Sequence, residues 1–332
     1  MHVVFGILSS NNTAAAVQQI IDTIGYDHKI IVHHDFSKQP EFRLTGANVH
    51  VIENYLETSW GDWSLVEATI RLIEIALSKG EFDYFQLLSD TCLPIQPIDK
   101  FVDYINLKKP DANIDYVSVI EEPILMMSHG YRAFSAKQTM QHRLLRKLNF
   151  LCTLGKIKLR MIAGLSVLTT ENKASLSLKA PLFLLQYIAL QLAVRGLGFS
   201  HPFGREFKCY AGSQWFGCSS AICRDVLKWI KKNPKVITYF KNMQIPDEFF
   251  FQTVILNLRP QNIMSSNHFI NSFNKMKDYS GPSYLEVDDF NKLSLSDKFF
   301  ARKFPKESSH PIRLKMLNYI NSIDYDRDSL SS

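Results

Sequence analysis

The sequence predicts an α/β fold: a mostly parallel sheet flanked by helices. Short apolar runs alternate with segments of helical period through the N-terminal part of the chain. Of the 332 residues, 46% are hydrophobic and 21% charged, the balance of an ordinary packed protein. A chain of this length can bury a core without disulfides or a structural metal.

The first apolar run, Val3–Leu8, reads as a strand, and Ala14–Ile24 as the helix after it. Lys29–His33 and Val49–Ile52 read as the second and third strands. Ser64–Ser78 has helical period, with Val66, Ile70, Ile73 and Leu77 on one face. Tyr84–Leu88 reads as a short buried strand, Ile98–Leu107 as a helix and Tyr116–Val119 as a strand. Strands that alternate with helices pair in parallel, because each crossover returns the chain to the same end of the sheet. Residues 136–198 are expected to form a mainly helical, basic excursion, carrying Arg143, Arg146, Lys147, Lys156, Lys158 and Arg160. The α/β pattern resumes at Tyr210, and no internal repeat is visible. One domain is expected over 1–310, followed by a short helix and polar tail over 311–332.

The cysteines are Cys92, Cys152, Cys209, Cys218 and Cys223. They are odd in number and form no CxxC pair, so a reducing compartment fits better than a secreted disulfide framework. Their spacings resemble no zinc site. The net charge of +6 suits anionic partners, sugar nucleotides or an acidic membrane surface, without choosing among them. The first apolar run is too short for a signal segment, and Pro181–Val194 falls short of the roughly 20 residues that span a bilayer. A cytoplasmic protein is expected. The basic helical segment has two readings, a solvated face or peripheral contact with the inner face of a membrane or a lipid-linked acceptor. The basic residues are dispersed and no nucleic-acid-reading motif appears, so no nucleic-acid partner is expected.

In open parallel sheets, ligands gather beyond the carboxyl ends of the strands. Two polar clusters fall there: His33-His34-Asp35 after the second strand and Ser89-Asp90-Thr91 after the Tyr84–Leu88 strand. The first reads as metal ligands, as a plain strand end, or as Asp35 bonding part of a nucleotide. Trp60 and Trp63 read as core anchors, or one indole lines a pocket beside Gly61. Gly212-Ser213-Gln214-Trp215-Phe216 joins a glycine turn to aromatics, an ordinary route into a strand but also a sugar-binding composition. Pro246-Asp247-Glu248 before an aromatic run is ordinary helix-start chemistry, or a carboxylate held at a pocket edge as a general base. Phe300-Ala301-Arg302-Lys303-Phe304 pins two cations between core aromatics.

Taken together and in order, these segments resemble the core-2/I-branching glycosyltransferase family, which includes branching β-1,6-N-acetylglucosaminyltransferases and peptide O-xylosyltransferases. The strongest block, Tyr84 to Ile95, is similar to the family's "YF-LLS---PL" strand and turn. Trp60-Gly61 through Ala68 resembles its "WG--S-V-A" helix start. Gly212-Ser213-Gln214-Trp215-Phe216, Pro246-Asp247-Glu248 with Phe250, and Phe300 to Phe304 resemble its "GS-WF", "P-E--F" and "FARKF" segments.

The resemblance implies a GT-A-like fold and an inverting transfer from a UDP-sugar, with N-acetylglucosamine or xylose as the sugar. It implies a carbohydrate or lipid-linked glycan acceptor and no metal or other cofactor. Glu248 would be the general base. Arg302 and Lys303 would meet the diphosphate, and Asp35, Trp60 and Gly61 would hold the nucleotide. Ser89, Asp90, Gln214, Trp215 and Asp247 would contact donor or acceptor sugar. The family's upstream phosphate-binding arginine is missing before Leu285, so Arg302 or Lys277 is the expected substitute. Two readings stand against a transferase: a non-catalytic carbohydrate-binding protein on the same fold, and a metal-dependent nucleotide-processing enzyme using His33, His34 and Asp35.

Overall fold

The structure is a computed structural model and describes residues 1–153, 158–162, 165–169, 180–198, 200–271 and 282–331. In chain order it begins β1 (Val3–Ser9), α1 (Ala14–Ile24), β2 (Lys29–His34), β3 (Val49–Val51), α2 (Trp63–Ser78), β4 (Tyr84–Ser89), β5 (Leu93–Pro94) and α3 (Ile98–Lys108). It continues through β6 (Ala112–Ile114), β7 (Val117–Ser118), α4 (Pro123–Ala133), α5 (Met140–Thr153), β8 (Lys158–Ile162), β9 (Leu165–Thr169) and α6 (Ala180–Val194). The last part holds β10 (Tyr210–Ala211), β11 (Phe216–Ser219), α7 (Ser220–Lys232), α8 (Pro234–Lys241), a 3-10 turn (Pro246–Glu248) and α9 (Phe250–Asn257). It closes with β12 (Ile263–Met264), β13 (Phe269–Asn271), α10 (Phe290–Ser294), β14 (Phe300–Arg302) and α11 (Pro311–Ser331).

Seven strands form the main sheet in the order β12-β6-β11-β4-β1-β2-β3. β1 pairs in parallel with β2 and β4, β2 with β3, and β12 with β6; β11 runs antiparallel between β4 and β6. This is the expected α/β class, with a mostly parallel sheet. Every residue of β1 and of β4 is buried, as strands covered by helices on both faces require. Within β1, a Cβ at Gly6 would lie 2.5 Å from the Phe85 ring, so the strand stays close to β4 only with glycine there.

Local signals set the first two helices. Thr13 caps α1 by accepting from the Ala16 amide at 3.2 Å, and Gly25 ends it at a φ of 83°. Asp62 caps α2 by accepting from the Ser64 amide. Val66, Ile70 and Ile73 are buried on one face of α2, as their spacing predicts. One continuous apolar cluster runs from Val3 to Ile320.

Two elements differ from the sequence expectation. The excursion contains α5 and α6 but also the antiparallel pair β8–β9. Its sequence, Lys158-Leu159-Arg160-Met161-Ile162, alternates polar and apolar residues, a period of two that the overall basic character hides. The C-terminal element is a 21-residue helix rather than a short helix with a tail. Arg313 anchors its start: fully buried, it donates to the Gln19 side chain at 2.8 Å, the Pro305 carbonyl at 3.1 Å and the Ala16 carbonyl at 2.7 Å. Arg313→Met keeps the bulk and strands those acceptors. It should lower unfolding free energy by about 1–3 kcal/mol, read from urea midpoints. An unchanged midpoint would show that the clamp is dispensable.

Candidate active site

The parallel strands β2, β1 and β4 end level with one another. The Asp35 amide donates to the Ser9 carbonyl at 3.0 Å and the Asp90 amide to the Leu8 carbonyl at 2.9 Å. One edge of the sheet therefore carries His34-Asp35, Ser9-Ser10 and Ser89-Asp90 together. Much of this polar edge is tied up internally. His34 bonds Ser9 Oγ at 3.0 Å and the Gln39 carbonyl at 2.9 Å, and stacks on Phe42. His33 Nε2 accepts from the Leu56 amide at 3.0 Å, and burial pushes its pKa down to about 4. Among the described residues, no three His, Cys, Asp or Glu side chains converge as a metal-holding group.

Asp35 is fully buried. Burial alone would raise its pKa. Hydrogen bonds from Ser37, from the Thr58 amide and hydroxyl, and from Lys38 outweigh it and bring it to about 2. The carboxylate thus ties β2 to the loop that leads to Trp60. Ser89 is also spent locally, on the Thr91 hydroxyl at 2.9 Å and the Cys92 thiol at 3.2 Å.

Beside this edge stand the cations of β14 and the residues after it. Arg302 lies over the Trp215 ring at 4.6 Å, and its Nε is buried without a partner among the described residues. Burial and Arg302 both lower the pKa of Lys303, and Lys306 lowers it further. Asp90, half-buried, is the acid that offsets them. Its own pKa is raised by burial, against the amide bond from Ser10 and the pull of Lys306. Three cations against one desolvated acid leave this corner short of negative charge. Lys277 lies outside the described residues.

The acidic turn approaches from the other side. Pro246–Glu248 is a 3-10 turn, and the two acids diverge as a helical step requires. Glu248 keeps a side chain 39% exposed and pairs through Oε2 with Arg132 Nη1 of α4 at 2.7 Å. Its Oε1 makes no hydrogen bond among the described residues. Asp247 is 6% exposed and its Oδ1 has no hydrogen-bond partner among the described residues. Burial, then the charge of Glu248, push its pKa up to about 7. The sequence offered no sign of Arg132, which stands alone on an otherwise ordinary helix.

Gly212 and Trp215 connect the two sides. The Gly212 amide donates to the Glu248 carbonyl at 2.9 Å, and Gln252 bonds the Ser213 carbonyl. A Cβ on Gly212 would lie 2.0 Å from the Asp115 carbonyl oxygen, so only glycine fits. Three residues later, Trp215 underlies Arg302. A three-residue step spans at most about 11 Å, which keeps the acidic turn and the cation corner near neighbours. Gln214 lies half-buried on this strut.

The two tryptophans divide their roles. Trp63 is buried edge-on to Phe250, whereas Trp60 is 77% exposed. Trp60 and Gly61 line a cavity of about 540 Å³ with Lys137, Gln244, Ile245 and residues of α5. The lining does not include Asp35, Arg302 or Lys303. The residues expected to hold one nucleotide thus fall at three places: Asp35 under the loop, Trp60-Gly61 in this cavity, and Arg302-Lys303 at the cation corner.

Asp247 supplies a pH test. Its folded pKa lies above the ordinary 3.8, so the proton it holds stabilises the fold below about pH 4. That contribution is lost as pH rises through about 7. Asp247→Asn mimics the protonated acid. The stability of the natural protein relative to this variant should fall between pH 4 and pH 8 in urea titrations. Parallel pH profiles for the two would contradict the assignment.

Residues 27–149 match the family model described as Core-2/I-Branching enzyme. Two proteins of Arabidopsis thaliana, beta-glucuronosyltransferases GlcAT14B and GlcAT14A, are 34% identical over 106 residues and 31% identical over 105. Each alignment covers 30% of this chain, and 24% and 23% of those proteins. The aligned part is thus about a quarter of the length of these curated relatives. Among solved structures, A197 from STIV has a TM-score of 0.19 at 14% identity over 36% of this chain and 47% of that one. HddC from Yersinia pseudotuberculosis has 0.22 at 11%, over 36% and 60%. Values this low say nothing about activity. The family segment carries Asp35, Trp60, Gly61, Ser89, Asp90 and Arg132; the strut, the acidic turn and the cation corner lie beyond it. The segment that runs from the start of β2 into α5 is thus similar to the Core-2/I-Branching enzyme family.

Proposed function

We propose that the protein is an inverting glycosyltransferase that moves a sugar from a UDP-sugar to a carbohydrate hydroxyl. The observation that carries this reading is the pairing of a pinned, half-exposed Glu248 with an under-neutralised cation corner across the Gly212–Trp215 strut. In transfer, Glu248 takes the proton of the acceptor hydroxyl. The acceptor oxygen bonds the anomeric carbon as the carbon–oxygen bond to the diphosphate breaks. Base assistance of this kind is worth roughly 10²–10⁴ in rate. Arg132 holds one oxygen of Glu248 and leaves the other for the hydroxyl.

The departing UDP gains negative charge. Arg302, Lys303 and Lys306 supply fixed positive charge for it, so no divalent ion is required in this scheme. Burial that lowers the pKa of Lys303 makes the bare corner costly, and a bound diphosphate relieves that cost. Asp35 acts by setting the loop that carries Trp60, while Ser89, Asp90, Gln214 and Trp215 shape the floor between the two sides. The names of the two relatives favour glucuronate as the transferred sugar, and the sequence motifs favour N-acetylglucosamine or xylose. A free or lipid-linked glycan serves as acceptor. A cytoplasmic protein with peripheral membrane contact through the basic excursion fits that acceptor.

Two variants separate the roles. With a panel of UDP-sugars, Glu248→Gln should lower transfer by roughly 10²-fold or more while UDP affinity stays near that of the natural protein. Lys303→Ala should raise the barrier by about 2.7–4 kcal/mol, as loss of a single oxyanion donor does, and weaken UDP binding as well. Normal transfer by Glu248→Gln would remove Glu248 as the base. An inactive Asp247→Asn beside it would move the base by one residue.

A further inference from the structure

The cavity beside Trp60 has a chemistry that the transfer reaction itself does not use. Lys137, Arg143 and Arg146 line it, and among the described residues no carboxylate does. Lys137 is balanced by Asp62 at 3.1 Å. Arg143 reaches only the Gln138 carbonyl, at 3.2 Å, and neither arginine is ion-paired with a carboxylate among the described residues. Both are exposed, and so is Trp60. A flat indole face with nearby amides, here Gln138 and Gln244, suits a sugar ring and its hydroxyls. Two unbalanced guanidiniums at the same wall suit a carboxylate or phosphate, which they can grip with paired hydrogen bonds.

The cavity also adjoins the proposed base. Gln244 and Ile245 in its wall run directly into Pro246–Glu248, and the Ile245 amide donates to the Gly61 carbonyl at 3.1 Å. Charge then sets the direction of a bound chain. The arginines of α5 attract an anionic group of that chain, while Glu248, its charge balanced by Arg132, is left to a hydroxyl.

We propose that this cavity is an acceptor subsite selective for an acidic glycan, one carrying a carboxylate or phosphate on or next to the accepting sugar. The proposal rests on the glycosyltransferase reading of Glu248 and names the acceptor class for it. The indole holds the sugar, the two arginines hold the anion, and the free hydroxyl is directed to Glu248.

The test is calorimetric binding to the full chain of three probes: trigalacturonic acid, N-acetylglucosamine 1-phosphate and neutral maltotriose. At least one acidic probe should bind at least tenfold more tightly than maltotriose. Raising salt from 50 to 500 mM should weaken that binding. The exposed double variant Arg143→Gln/Arg146→Gln, checked by circular dichroism, should lose at least tenfold affinity for the acidic probe and none for UDP. Preference for the uronate would identify a carboxylated glycan, and preference for the sugar phosphate a phosphate-bearing one. The proposal is overturned if maltotriose binds as tightly as the acids, if no probe binds, or if the double variant loses UDP affinity instead. A cavity that binds acids in a protein with no UDP release from any UDP-sugar would leave the subsite standing and end the transferase reading.

Discussion

The arrangement of the site depends on one steric fact: nothing larger than glycine fits at position 212. The Asp115 carbonyl oxygen occupies the place of a side chain, and the Gly212 amide is spent on the Glu248 carbonyl. A sheet edge on one side and the acidic turn on the other are thereby fixed to a single residue. From there the chain needs only three steps to put Trp215 under Arg302. The proposed base and the cation corner thus share one short, bonded strut, although in sequence they are 54 residues apart at Glu248 and Arg302.

The polar sheet edge works mainly as scaffold. Asp35 holds a loop, Ser89 closes a turn, and His34 is locked between Ser9 and Gln39. Groups satisfied in this way are rigid, and rigidity is what a positioned acid or cation needs from its surroundings. The groups left unbalanced are the ones with chemistry to offer: Oε1 of Glu248, the buried acid of Asp247, the cations of 302–306 and the arginines of α5. The cations suit a diphosphate, and the arginines of α5 an anionic acceptor.

Much of the fold was legible because it obeys short-range rules. The apolar run of β1 and the one-sided face of α2 each name their element without reference to the rest. The β8–β9 pair was missed because its alternation sits inside a basic stretch bounded by strong helices. The C-terminal helix was underestimated because what anchors its start, the burial of Arg313, is a tertiary event. At the site, motif order pointed to Glu248, Arg302 and Lys303 but not to Arg132, whose partner lies 116 residues away. The family resemblance groups Trp60 with Asp35 as nucleotide contacts. Only the loop path shows Asp35 buried beneath and Trp60 turned outward into a separate cavity.

The central claim is that fixed side chains alone carry an inverting transfer. Its most direct test is proton NMR of the product formed from an α-linked UDP-sugar in the presence of EDTA. The account predicts UDP release undiminished by the chelator and a β-linked product. An α-linked product, or turnover that returns only when manganese is added, would contradict it.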